Sequence, residues 1–430
     1  MLNVQCSTLN GRGKAGFIQH SAFVLLFADA INSEVMSRRA ALLVCAVIVL
    51  VTSCISLRPR PHRARELRGL WVATVNNGDW PSRRDLTVDQ QKQELVAIFD
   101  RAAALHLNAI FLQIRPAADA FYPSSLEPWS EFLTGTSGKA PEPLYDPLAF
   151  AIDEAHKRGL ELHAWFNPFR ARRVADSTAR VIQQNPQHVH DYGRFVWLDP
   201  GDEAVQRDVL AVIADVVRRY DVDGVHLDDY FYPYPEKDAA GREIDFPDGI
   251  TWNRYRAAGG TMTRNEWRRD NINRFVESLY STVKGIKPKV EVGISPFGIW
   301  RPGHPRQIRG LDAYDRIYAD SRLWLRRGWL DYLAPQLYWP IAKREQSFPA
   351  LLNWWTRQDA RGRGIVAGIS INRVGSGRAA SVPAEEIAHQ IALVRRDDGA
   401  VGFILFSART IMQDRGGIDT VLARAIEPNL

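Results

Sequence analysis

Cysteine is nearly absent: Cys6, Cys45 and Cys54 are the only three in 430 residues. That excludes a disulfide framework and a cysteine-ligated metal centre. The chain lacks a G-x-S-x-G elbow and an H-E-x-x-H helix, so the usual serine-hydrolase and zinc-protease layouts are not expected. No glycine-rich phosphate loop follows the first predicted strand, where Thr74-Val-Asn-Asn-Gly-Asp-Trp-Pro81 stands instead. A formal charge of +6 with scattered bases is a poor footprint for nucleic acid, and no nucleic-acid partner is expected. Neither a metal nor another cofactor is expected. His188 and His190 look like a ligand pair, but they fall in a polar loop far in sequence from any strand end.

The N-terminus reads as targeting. Met36-Ser-Arg-Arg-Ala40 is a short basic start, and the apolar run from Ala40 to Val51 is shorter than a membrane span needs. Val51-Thr-Ser-Cys54 resembles a bacterial lipobox. Residues 36–53 are therefore read as a lipoprotein signal peptide, with a short transmembrane anchor as the alternative. Residues 1–35 are read as a start-site artefact upstream of Met36. Cleavage before Cys54 removes the other two cysteines and leaves Cys54 as the lipidation site. Ile55 follows it, where an inner-membrane retention signal would place Asp. The expected location is thus the periplasmic face of the outer membrane, held by the lipid anchor. Residues 54–67, rich in Arg and Pro, form a tether unable to pack a core.

From residue 68 to 430, β-rich runs alternate with amphipathic helical patterns. Strands are expected at 70–75, 109–114, 161–166, 224–227, 291–295, 332–337, 365–369 and 402–406. Helices are expected at 88–105, 147–158, 204–220, 264–287, 321–327, 349–361 and 383–396. Eight strands interleaved with helices predict an α/β fold, a (β/α)8 TIM barrel with long loops on its C-terminal face. A doubly wound open sheet is the alternative.

In such a barrel the strand ends converge on one pocket. They are polar and aromatic here: Gln113 and Arg115 on the second strand, His163, Trp165 and Asn167 on the third, Gln336, Tyr338 and Trp339 on the sixth. The fourth runs Asp223-Gly-Val-His-Leu-Asp-Asp-Tyr-Phe-Tyr-Pro233 and supplies His226, Asp228, Asp229 and Tyr230. An unpaired carboxylate is costly to bury, so Asp228 and Asp229 belong at the strand's mouth. Alternation puts His226 and Asp228 on one face and Asp229 on the other. Flat rings with amides and guanidiniums suit sugars, the rings for stacking and the polar groups for hydroxyls.

Arg68-Gly-Leu-Trp-Val-Ala73, Asn108-Ala-Ile-Phe-Leu-Gln-Ile-Arg-Pro116, His163-Ala-Trp-Phe-Asn-Pro168, the Asp223–Pro233 run and Ala334-Pro-Gln-Leu-Tyr-Trp339 together resemble the glycosyl-hydrolase-like 10 family. The resemblance spans about Arg65 to the C-terminus. It implies a (β/α)8 glycosidase that cuts peptidoglycan glycan strands already stripped of their peptide stems. Asp228 and Asp229 are the expected catalytic residues, and the other strand-end residues named above bind substrate. Two sequence neighbours on opposite strand faces would not flank one bond as an ordinary carboxylate pair, and the fifth strand ends at Ser295, where many sugar-cleaving barrels carry a Glu. Two routes stay open. Either the acetamido oxygen of the substrate is the nucleophile, with one Asp orienting it and the other protonating the leaving oxygen, or Asp119, Glu127 or Glu236 enters from a loop. A non-catalytic glycan-binding lipoprotein and a strand-rejoining transferase are the competing functions.

Overall fold

The computed structural model describes residues 65–171, 182–183, 186–377 and 381–427. Among them the strands are, in chain order, β1 (Leu67–Val72), β2 (Ala109–Arg115), β3 (Glu161–Phe166), β4 (Arg170–Ala171), β5 (Val189–Tyr192), β6 (Phe195–Leu198), β7 (Gly224–Leu227), β8 (Glu291–Ile294), β9 (Tyr332–Leu333), β10 (Ile365–Ser370) and β11 (Ala400–Phe406). Eight close into a parallel barrel in the order β1-β11-β10-β9-β8-β7-β3-β2, while β4, β6 and β5 form a small antiparallel sheet. The helices are α1 (Val88–Ala104), α2 (Glu131–Thr134), α3 (Pro147–Lys157), α4 (Glu203–Arg219), α5 (Gly249–Ala257), α6 (Arg264–Ile286), α7 (Ala313–Arg316), α8 (Ser321–Arg327), α9 (Phe348–Gln358), α10 (Ala384–Arg396), α11 (Ala408–Met412) and α12 (Ile418–Ile426). This is the (β/α)8 barrel the alternation predicts. The expected signal segment 36–53, Cys54 and residues 54–64 of the tether lie outside the described residues.

Local chemistry starts and stops these elements. The side chains of Thr87 and Gln90 close a capping box on α1, and Thr263 with Glu266 does the same for α6. Asp146 and Asp202 accept the first free N–H groups of α3 and α4, which helices otherwise leave without partners. The first strand sits three residues earlier than the pattern suggests. The Asp79 carboxylate takes the Ala73 N–H at 2.7 Å, so the ladder stops there. Asn76 and Asn77 then turn the chain with φ of 54° and 52°, a region that Asn tolerates. The expected strand at 332–337 is regular for only two residues. Pro335 has no N–H to give a ladder, and pairing resumes as single bridges from Gln336 to Phe297 and Gly368.

Two apolar layers hold the barrel. Outside it, helix faces such as Val205, Val209, Val212, Ile213 and Val216 of α4 pack on the outward strand residues. Inside, large and small residues interlock: Trp71, Phe111, Trp165 and Tyr332 among Ala73, Ala109 and Ala334. Two glycines make this interior possible. A Cβ on Gly224 would lie 2.1 Å from His163 Nδ1, and one on Gly293 would lie 1.9 Å from the Tyr332 ring. Gly293→Ala is therefore expected to lower stability by about 1–3 kcal/mol, the usual cost of overpacking. Thermal melting followed by circular dichroism measures this, and an unchanged midpoint would contradict the packing.

Candidate active site

The C-terminal ends of every barrel strand except β10 contribute to a cavity of about 300 Å³. Strand β1 and its exit give Trp71, Ala73 and Val75; β2 gives Gln113; β3 gives Trp165. The segment after β7 brings Asp228, Asp229, Tyr230 and Tyr234. Ser295 follows β8, Gln336 and Tyr338 follow β9, and Phe406 ends β11. Arg170 reaches the wall from β4. Asp228 and Asp229 therefore share one cavity, and the expectation that they occupy opposite faces is corrected. β7 ends at Leu227, so strand alternation no longer governs the next two residues.

The environments of the two acids differ. Backbone N–H groups of Thr74 and Val75 donate to Gln113 Oε1, each at 2.9 Å. These donors fix the amide, so Gln113 Nε2 donates to Asn167 Oδ1 and Asn167 Nδ2 in turn donates to Asp228. Trp165 Nε1 and the Tyr230 N–H also donate to Asp228, both at 3.1 Å. Burial pushes the Asp228 carboxyl above the ordinary range, opposed by the Arg170 charge and by these donors. Indole, amide and backbone N–H groups favour the carboxylate, which makes Asp228 the ionised member. Asp229 receives Gln336 Nε2 at 3.0 Å and the Tyr234 hydroxyl. Burial, together with the charge of Asp228, pushes Asp229 up to about 7. The pair thus holds one proton between its members near neutrality.

Under the floor, Trp71 Nε1 can only donate, so His226 Nε2 accepts at 3.2 Å. Nδ1–H of His226 then donates to the Tyr332 hydroxyl at 3.0 Å, and that hydroxyl donates to His163 Nδ1 at 3.1 Å. Burial and the adjacent His163 hold His226 well below the ordinary histidine range. His226 is thus neutral, and Trp71 selects its tautomer. Among the described residues, a grouping able to hold a metal is Glu161, His163 and Glu291. Their ligand-type atoms lie within 4.8 Å of one another at the N-terminal ends of β3 and β8, the far end of the barrel from the acids.

The sequence places several residues on the substrate wall that the structure puts elsewhere. His163 and His226 are barrel-core groups, for the reason just given. Arg115 is fully buried and clasps Glu127, its Nε–H lying 2.9 Å from each carboxylate oxygen and its Nη2 donating to Oε1. It also donates to the carbonyls of Asn167 and Pro168, so it secures the turn after β3. Asn167 is buried behind Asp228. Trp339 packs edge-on against Phe297, 5.5 Å between ring centres, beside a separate small recess. Gln113, Trp165, Tyr230, Gln336 and Tyr338 do line the cavity with the two acids. Arg170 and Tyr234, which the sequence also sets beyond the ends of the third and fourth strands, line it too, and Trp71 and Phe406 join them without being expected there. Alternation from Leu67 and Gly69 along β1 points Trp71 inward, a signal present in the sequence.

Residues 66–383 match the model of the family described as glycosyl hydrolase-like 10. The chain belongs to this family. It is 43% identical over 304 residues to glycosyl hydrolase YngK of Bacillus subtilis, a match covering 68% of this chain and 58% of that protein; the chain thus spans less than two thirds of that relative's length. It is 36% identical over 364 residues to glycosyl hydrolase DigH of Escherichia coli K12, covering 75% and 80%. By homology it is a glycosyl hydrolase. The fold is also similar to the glycoside hydrolase domain of PgaB from Bordetella bronchiseptica, with TM-score 0.55, 15% identity and coverage of 83% and 98%. An α-L-fucosidase from Paenibacillus thiaminolyticus gives TM-score 0.53, 13% identity and coverage of 84% and 49%. At these identities the likeness concerns the barrel alone.

The elevated Asp229 carboxyl has a stability consequence. Between the ordinary Asp range and about 7, the folded chain keeps a proton that the unfolded chain releases, so stability falls as pH rises through that window. Asp229→Asn removes this titration. Its melting point relative to the native chain should be higher at pH 8 than at pH 5, and a pH-independent difference would refute the assignment.

Proposed function

We propose that the chain hydrolyses glycosidic bonds in peptide-free (denuded) peptidoglycan glycan strands, assisted by the substrate's own acetamido group. The observation that carries this reading is the pair of unlike carboxyl groups in one ring-lined cavity, Asp228 hydrogen-bonded as a carboxylate and Asp229 kept protonated. Asp228 accepts the acetamido N–H and turns the acetamido oxygen toward the anomeric carbon. That oxygen forms the new bond as the glycosidic C–O bond breaks, and Asp229 gives its proton to the leaving oxygen. Asp229, now ionised, takes a proton from the water that reopens the ring, and the configuration is retained. Tyr338, its phenol held well above the ordinary range by burial and by Asp229, keeps its proton as a donor to the acetamido group.

The loop acids support the same route by their positions. Glu127 is locked to Arg115, Asp119 accepts the Ala117 N–H at 2.8 Å, and Glu236 lies 3.3 Å from Arg194. None of the three lines the cavity. A lipid on Cys54 would hold the barrel at the periplasmic face of the outer membrane, within reach of the wall.

Incubation with amidase-treated sacculi and chromatography of the soluble products tests this. The native chain should release oligosaccharides, with activity falling as pH rises through about 7, where Asp229 loses its proton. Asp228→Asn and Asp229→Asn should each fold and lose at least about a hundredfold in rate, the scale of general acid–base catalysis. An active, folded Asp228→Asn chain would remove the mechanism.

A further inference from the structure

Arg170 is unlike the rest of the cavity. It is the one cationic side chain among the described lining residues, and it comes from the small sheet rather than from the barrel. Its guanidinium lies over the Tyr230 ring, 4.5 Å from the ring centre, and Tyr230 is itself wedged between Trp197 at 6.0 Å and Tyr234 at 5.4 Å. β4 is held to β6 by the pairing of Arg170 with Trp197. The charge is thus positioned by stacking, which leaves the edge of the guanidinium fork for hydrogen bonds. Among the described residues no carboxylate lies within ion-pair distance of it. Asp228 feels its field but takes its hydrogen bonds from other groups.

A fork of N–H donors that meets no carboxylate among the described residues, at the wall of a cavity whose other charged groups are acids, fits a substrate that carries a carboxylate. Neutral amino-sugar polymers have none. In peptidoglycan strands the muramic residue bears a lactyl ether, whose acid group is free and ionised only when the stem peptide is gone. A stem peptide turns it into an uncharged amide. We infer that Arg170 recognises the free lactyl carboxylate and is the group that makes the cavity selective for peptide-free strands. This rests on the reading of the cavity as a peptidoglycan-strand site.

The test compares amidase-treated strands with the same strands after carbodiimide coupling to methylamine, which caps each carboxylate as an amide. The full native chain should favour the free acid in kcat/KM by about ten- to a hundredfold, the range of a charge-assisted hydrogen bond, with the difference carried in KM. Arg170→Ala should bring the ratio close to one, and Arg170→Lys should retain part of it. Melting curves check folding, and Arg170→Gln supplies the same comparison should the alanine variant be unstable. Equal cleavage of both substrates by the native chain would overturn the inference while leaving the glycan reading intact. So would an Arg170→Ala chain that loses kcat equally on both and shifts its acidic limb, because Arg170 would then only tune Asp228. A native chain that cleaves neither substrate removes the glycan reading and the inference with it.

Discussion

Two neighbouring carboxyl groups, both almost fully buried, resist ionising together, and the rest of the site is arranged around that constraint. Repulsion alone would leave the single proton free to sit on either acid. The structure breaks the tie with donors. Asp228 collects an indole, an amide and a backbone N–H, whereas Asp229 faces a phenol and a shared glutamine. The decision is made far upstream of the acids. Because Thr74 and Val75 present backbone N–H groups to Gln113, each amide in the row has only one workable orientation. A chemical asymmetry thus descends from the point where β1 stops being a strand.

A second row of polar groups crosses the barrel interior, from Trp71 through His226 and Tyr332 to His163. Buried polar groups are costly unless satisfied, and here each ring finds its partner in the next. The row keeps the Trp71 indole from turning, and Trp71 is part of the cavity floor. Gly224 and Gly293 give up side chains so that His163 and Tyr332 fit. His163 and His226, which read as substrate-binding residues in the sequence, are in this fold the interior packing of the floor.

Much of the architecture is legible in the order of residues. All eight barrel strands lie at or within a few residues of the runs that alternation and β-propensity mark, because each run is buried between helices and interior. The acid doublet is legible for a related reason, since nothing but a strand's mouth accommodates two carboxyl groups after Val225-His-Leu227. What could not be read is set by contacts distant in the chain. Arg115 looks like a sugar ligand until Glu127 is seen to fold back on it. Asp229 turns into the same cavity as Asp228 because alternation stops directing side chains once the strand has ended at Leu227; the pattern marks that end, but not the path of the chain beyond it. The β4-β6-β5 sheet is missed because its strands are short and built on a hairpin within a polar stretch.

That small sheet stands apart from the rest of the site in its ancestry of contacts. The acids and their donors are rooted in the barrel, whose strands brace one another around a closed ring. Arg170 is carried by a two-residue strand that, among the described residues, pairs with a neighbouring hairpin. Trp197 of that hairpin packs on Tyr230, and Tyr230 donates its N–H to Asp228, so a change in the hairpin reaches the ionised acid through a single aromatic ring.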